Sequence, residues 1–198
     1  MLAASLLAIL FTAPGPAATK PVHVVMTTGL GELELAVDVA HAPVTAKNFL
    51  RYVEAGHYDG GRFHRTVTLK PDNQPNNKVK IEVIQGGVAP EQEAKGWPAI
   101  GLERTTKTGL RHLDGTISMA RAEPDSATSD FFVCVGPQPE LDFGGKRNPD
   151  GQGFAAFGQV VKGMDVVRKI QAAPADGQTL TPAVRILKAS VVKAKPAP

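Results

Sequence analysis

The 198-residue chain has one cysteine and one tryptophan, and its aromatic content is only 6%. A single thiol, Cys134, excludes an intramolecular disulfide and a cysteine-rich zinc site. Five histidines are present, none in ligand-spaced pairs, so a metal centre has little material. No apolar run reaches the ~18 residues of a membrane-spanning helix. Neither sign of charge dominates. Lys and Arg number 22 against 19 Asp and Glu, a formal net charge of +3, and no basic block of five or more occurs. That balance argues against a nucleic-acid partner.

Apolar residues at 42% and charged residues at 21% are enough for a real core and argue against wholesale disorder. The length fits one domain. Twenty glycines and sixteen prolines imply many turns and few long helices. At the amino terminus, Leu2–Phe11 is a short apolar stretch followed by Pro14, Gly15, Pro16, Ala17 and Ala18. This reads as a secretory signal peptide over 1–18, although no basic residue precedes Leu2. The expected organisation is then one domain over 19–192 and a frayed tail over 193–198. The expected compartment is periplasmic or secreted, with the cytoplasm as the alternative.

Val22–Thr28 and Glu32–Asp38 are β-patterned and flank the turn Gly29-Leu30-Gly31, so they predict a hairpin. Ala46, Phe49, Leu50 and Val53 fall on one helical face, Pro43 can open that helix and Gly56 can stop it. Strands are predicted at 62–68, 79–85, 116–121, 130–135, 154–161 and 184–192. The Pro- and Asn-rich segment 70–78 predicts a solvated loop, and 163–170 a short helix. Residues 88–114 read as mostly irregular. About eight short strands, two helices and Gly/Pro turns suggest a barrel or a sandwich. In 130–135, Phe131 and Val133 face one way, and Phe132 and Cys134 the other. Cys134 is expected to be structural.

Common catalytic signatures are missing. Gly86-Gly87 and Gly144-Gly145 belong to no phosphate-binding pattern. No serine sits in a nucleophile elbow. Arg65, within Phe63-His64-Arg65-Thr66-Val67, and Gln85, ending Ile81-Glu82-Val83-Ile84-Gln85, are polar residues in apolar strands. Periodicity alone leaves them as either rim residues or site residues, and it cannot pair them in space.

Five phrases in order carry more weight: Phe63-His64-Arg65, Ile84-Gln85-Gly86-Gly87, Gly115-Thr116-Ile117-Ser118-Met119-Ala120-Arg121, Ser129-Asp130-Phe131-Phe132-Val133, and Phe157-Gly158-Gln159-Val160-Val161-Lys162-Gly163-Met164-Asp165. Together they resemble the cyclophilin-type peptidyl-prolyl cis/trans isomerases over roughly 22–192, with the flavour of bacterial exported members. The resemblance implies a mainly β fold, a closed eight-stranded antiparallel β-barrel capped by two α-helices, with substrate in an outer groove. It implies Arg65, Gln85 and Phe132 as catalytic residues. Val83, Ala120, Arg121, Leu141 and Phe154 would line the substrate groove. Substrates would be proline-containing unfolded or partly folded polypeptides, bound by a monomer with no metal or cofactor. Three departures stand out. Glu82 and Glu140 replace aromatics, and Asp130 replaces a glutamine, which together imply a shallower, more acidic pocket. That leaves a proline-segment binding module with little turnover as the alternative function.

Overall fold

The structure, a computed structural model, describes residues 20–192; the expected signal peptide and the tail over 193–198 lie outside the described residues. The first hairpin follows directly from patterning. In β1 (Val22–Thr28) and β2 (Gly31–Val37), Val24, Met26, Leu33, Leu35 and Val37 are buried while Glu32 stays exposed. β3 (Arg62–Val67), β4 (Val83–Gly87), β5 (Thr116–Met119), β6 (Phe131–Cys134), β7 (Ala155–Lys162), β8 (Ala175–Asp176) and β9 (Thr179–Val191) complete the sheet. Its order is β1-β2-β7-β5-β6-β4-β3-β9, and β9 pairs back onto β1. Eight antiparallel strands thus close into a barrel, with β8 a two-residue appendage on β9. Closure leaves those eight strands without a free edge.

Helix α1 (Pro43–Glu54) starts with Pro43 in its first turn and buries Ala46, Phe49, Leu50 and Val53. It has no acidic residue in that turn; the Glu103 carboxylate, from far along the chain, accepts from the Val44 and Thr45 amides instead. The Phe49 ring lies 5.3, 5.4 and 5.1 Å from those of Tyr58, Phe131 and Phe157. Single-turn helices α2 (Pro90–Glu93) and α3 (Thr105–Thr108) interrupt the otherwise irregular 88–114 stretch. Helix α4 (Met164–Gln171) buries Val166, Val167 and Ile170 and packs against β2, β3 and β4.

Two apolar clusters result. The larger fills the barrel with Phe49, Phe63, Phe131, Phe157 and the aliphatic faces of the strands. The smaller comprises Val67, Ile81, Val83, Phe132, Cys134 and Leu141, with Ala120 and Phe154 packed on it. Alternation along β6 divides its residues between them: Phe131 and Val133 join the first, Phe132 and Cys134 the second.

Two strand boundaries and one burial differ from the sequence expectation. The predicted strand over 79–85 begins only at Val83. The Ile81 N–H and C=O bond the Gln74 amide, and the Val79 C=O accepts from Arg147, so those backbone groups serve side chains instead of a ladder. The loop over 70–78 is polar as predicted, yet Gln74 within it is fully buried. The last strand begins at Thr179, not Val184, because Thr179 pairs with both Asp176 and Arg65.

Candidate active site

A β-bulge decides where Arg65 points. Strict alternation would put Phe63 and Arg65 on one face of β3. Pairing with β4 instead runs Phe63 to Gly86 and Arg65 to Gln85, leaving His64 as the extra residue. The bulge turns the strand, so Phe63 enters the barrel core while Val67 joins the outer cluster beside Arg65.

Arg65 is then held by two neutral amides. Its Nε and Nη2 donate to Gln178 Oε1 at 2.9 and 2.7 Å, and its Nη1 donates to Gln85 Oε1 at 2.9 Å. Gln85 Nε2 donates to Asp130 Oδ2 at 3.1 Å. A carboxylate only accepts, so Asp130 fixes the Gln85 amide with its oxygen toward Arg65. Three of five guanidinium N–H groups are engaged and two are free for a substrate. Burial pushes the Arg65 guanidinium down from its ordinary value, and a guanidinium so shifted still carries its charge. Among the described residues, the arginines in ion pairs are Arg111, Arg121 and Arg168. The Arg65 charge is oriented without being neutralised.

Gly86-Gly87 has a packing role. A Cβ on Gly86 would strike the Phe63 ring, and one on Gly87 would strike the Asp130 carboxylate. The dipeptide permits the close approach that lets Asp130 reach Gln85.

All eight residues implied by the resemblance, namely Arg65, Val83, Gln85, Ala120, Arg121, Phe132, Leu141 and Phe154, border one groove of about 630 Å³. Phe132 and Phe154 meet edge to face at 5.3 Å. Phe132 also stacks on the His112 ring at 5.9 Å. His112 is wedged between Asp142 Oδ1 at 2.8 Å and Ser118 Oγ at 2.9 Å. Ser, His and Asp lie in line here, but Ser118 and His112 are buried beneath Phe132, so the trio supports the ring and meets no substrate. Cys134 lies on the same side of β6, and burial raises its thiol far above the ordinary value.

Arg121 lines the groove as a wall residue. Its guanidinium makes two bonds to Asp150, at 2.7 and 3.0 Å, and two to the Gly153 C=O, at 2.9 and 2.7 Å. It lies 5.0 Å over the Phe154 ring, with its side chain 1% exposed. It builds the wall and offers no free charge. The expectation of an acidic pocket built by Glu82 and Glu140 is corrected. Glu140 accepts from the Lys146 amide and Glu82 from the Leu69 amide, and neither borders the groove; Ile81 does, from the residue before Glu82. Asp130 is the one carboxylate at the groove among the described residues, against three arginines. Sequence reasoning missed Gln178, Ile81 and Arg147. Gln178 lies in the β8–β9 turn, 113 residues from Arg65, where no local pattern announces it.

An apolar cluster beside an oriented, un-neutralised guanidinium, on the outside of a closed barrel, makes a groove suited to a polypeptide that carries an apolar side chain. The family model for cyclophilin type peptidyl-prolyl cis-trans isomerase/CLD matches residues 23–191. Peptidyl-prolyl cis-trans isomerase A of Dickeya dadantii (strain 3937) is 43% identical over 159 residues, covering 79% of this chain and 75% of that protein. Peptidyl-prolyl cis-trans isomerase B of Escherichia coli (strain K12) is 35% identical over 147 residues, covering 73% and 80%. The crystal structure of a Cryptosporidium parvum cyclophilin type peptidyl-prolyl cis-trans isomerase superposes with a TM-score of 0.69 at 20% identity, covering 88% of this chain and 99% of that one, which speaks for the fold alone. This chain belongs to the cyclophilin-type peptidyl-prolyl cis-trans isomerases.

Proposed function

We propose that this groove catalyses cis/trans isomerisation of X–Pro bonds, with Arg65 as the catalytic residue and Phe132, Phe154, Leu141 and Val83 gripping the proline ring. The observation that carries the assignment is the Arg65 guanidinium, fixed by Gln178 and Gln85 and paired with no carboxylate.

Rotation about the X–Pro bond is slow because the nitrogen shares its lone pair with the carbonyl, giving a barrier of ~18–20 kcal/mol. At the twisted midpoint the nitrogen turns pyramidal and regains that pair. A donor aimed at it binds the twisted state better than either planar state, which is what lowers a barrier. Arg65 has two free N–H groups in a rigid fork for the proline nitrogen and the neighbouring carbonyl. The apolar recess strengthens that bond by excluding water. No covalent bond breaks. A binding module without turnover would draw support from Glu82 and Glu140 in the pocket, and both side chains lie outside it.

The test is the cis/trans exchange rate of a short Ala–Pro peptide with and without the protein. Exchange that takes tens to hundreds of seconds unaided should speed up in proportion to enzyme concentration. No acceleration by folded protein refutes the assignment.

The apolar stretch to Phe11 and the small residues to Ala18 support a finer reading, an exported isomerase acting as a monomer on unfolded exported proteins. Mass spectrometry of the protein from its native cells should show about the first 18 residues removed. An intact amino terminus on cytoplasmic protein would overturn export.

A further inference from the structure

Arg147 is not among the site residues the resemblance implied. It follows the short 3₁₀ turn Pro139–Leu141, and the loop between β3 and β4 holds it at the groove. Its Nη1 donates to Gln74 Oε1 at 2.8 Å and to the Val79 C=O at 2.6 Å. Gln74 is itself fully buried and bonds the Ile81 N–H and C=O and the Thr68 C=O, so a built wall holds the guanidinium. Among the described residues Arg147 has no ion pair, and its remaining N–H groups make no hydrogen bond. The acidic residues near it in the chain turn elsewhere: Asp150 to Arg121, Asp142 to His112 and Glu140 to the Lys146 amide. Burial, and then the Arg65 charge, push the Arg147 guanidinium below its ordinary value. Two cations therefore share one groove, each held by neutral amides or carbonyls, while the third, Arg121, is neutralised by Asp150. Such a site gains electrostatically by admitting a carboxylate.

We infer that Arg147 is a specificity-determining residue that receives an acidic side chain, Asp or Glu, lying within two residues of the proline in the substrate. The inference rests on the isomerase reading and assigns its preferred substrate class. Arg147 selects by charge and is not asked to touch the rotating bond. Its capture by Gln74 and Val79 removes the ordering cost a free surface arginine would incur on binding.

The experiment compares kcat/KM for matched proline peptides carrying Glu, Gln or Lys one or two residues before or after the proline. At one of these positions the order should be Glu above Gln above Lys, with Glu over Lys by about tenfold at low salt. That ratio should shrink as salt is raised, because exposed charge pairs are screened. In Arg147→Met the ratio should collapse toward one, and Arg147→Lys should keep part of it. Since Arg147→Met also loosens Gln74, the salt series on the unmutated protein stands as an independent arm. Equal rates for Glu and Lys peptides at every position, or a ratio that survives Arg147→Met, would overturn the inference. Failure of the isomerase reading looks different, because the Gln peptides would then show no acceleration either.

Discussion

At the scale of single residues, the groove depends on a cation that is aimed but not neutralised. Arg65→Ala removes a donor used mainly at the top of the barrier. Losing one such preorganised donor costs ~2.7–4 kcal/mol, so kcat should fall roughly 100–1000-fold while thermal stability changes little. Arg65→Lys should regain only part, since an ammonium cannot reproduce the fork. Circular dichroism on each variant and peptide exchange rates check this; folded Arg65→Ala with near-normal turnover would refute it. Gln178 is a positioning residue, for it supplies two of the three bonds to Arg65. Gln178→Ala should lower kcat about tenfold to a hundredfold with KM less affected. Gln178→Glu separates orientation from charge. It can keep the two bonds from Arg65 and adds a carboxylate, at the loss of the Nε2 bond to the Asn73 C=O, so some stability should be lost while kcat still falls. Recovery of full turnover in Gln178→Glu would show that geometry alone matters. Arg65 and Gln85 stood out in the sequence as polar residues inside apolar strands, and the family phrases located them. Gln178 did not, because its partner is 113 residues away and the β8–β9 turn has no apolar periodicity to mark it. Glu82 misled for a related reason: with the ladder lost before Val83, local matching could not tell which of Ile81 and Glu82 borders the groove.

At the scale of elements, the bulge in β3 and the buried glutamine of the β3–β4 loop set the site, and neither is visible in a hydropathy pattern. A bulge is a register event between two strands, so Phe63, Arg65 and Val67 look equivalent along one strand and separate only when β4 is paired beside them. The β3–β4 loop reads as polar and solvated because its composition is, yet the Gln74 side chain within it makes four hydrogen bonds with no exposure. Gln74→Ala would leave the Ile81 N–H and C=O without partners. The stability cost should be on the order of 2–3 kcal/mol, the range for stranding buried backbone groups. KM should also rise, because Ile81 and Arg147 both lean on that amide. Denaturant unfolding and steady-state kinetics on one variant test both halves; a neutral effect on each would mean the loop is held from elsewhere. Asp142, one residue past the 3₁₀ turn, ties this region to the ring support. Burial alone would raise its carboxyl. Hydrogen bonds from the His112 ring and amide, with the charges of His112 and Arg111, outweigh that and hold it below the ordinary carboxylate value. A carboxyl lowered by folding stabilises the fold above its unfolded value, and the gain is lost as pH falls through the folded one. Stability should therefore decline below about pH 4, and Asp142→Asn should flatten that decline while lowering Tm at neutral pH. An unchanged Tm profile from pH 3 to 7 in Asp142→Asn would refute the assignment.

At the scale of the whole molecule, the barrel and the groove are two apolar clusters on opposite faces of the same strands, and β6 is the clearest partition between them. Eight short strands and two helices were legible from alternation and turns, but closure was legible only through the family phrases, because the β1–β9 pairing joins segments about 160 residues apart whose ends show no local sign of meeting. Phe131 and Phe132 are neighbours of one kind and nearly equal burial, so sequence and exposure alone assign them similar importance. Their surroundings differ. Phe131 lies 5.4, 5.5 and 5.7 Å from the rings of Phe49, Tyr58 and Phe63, within a cluster that water does not reach. Phe131→Ala should open a closed cavity and cost ~3–5 kcal/mol. For a chain of this size that lowers Tm by about 6–20 °C. Kinetics per folded molecule should stay near normal. Phe132 borders the groove, so its truncation enlarges a space already open to solvent, and water can enter where the ring was. Phe132→Ala should therefore cost less stability, about 1–3 kcal/mol, than the closed-cavity case. It should raise KM strongly, because the ring grips proline in the planar and twisted states alike and uniform binding is lost. Tm and KM measured on both variants form a two-by-two test. The inner aromatic should move Tm and the outer one KM. If Phe131→Ala raised KM as much as Phe132→Ala, the two clusters would be one mechanical unit and the groove would not be separable from the barrel that carries it.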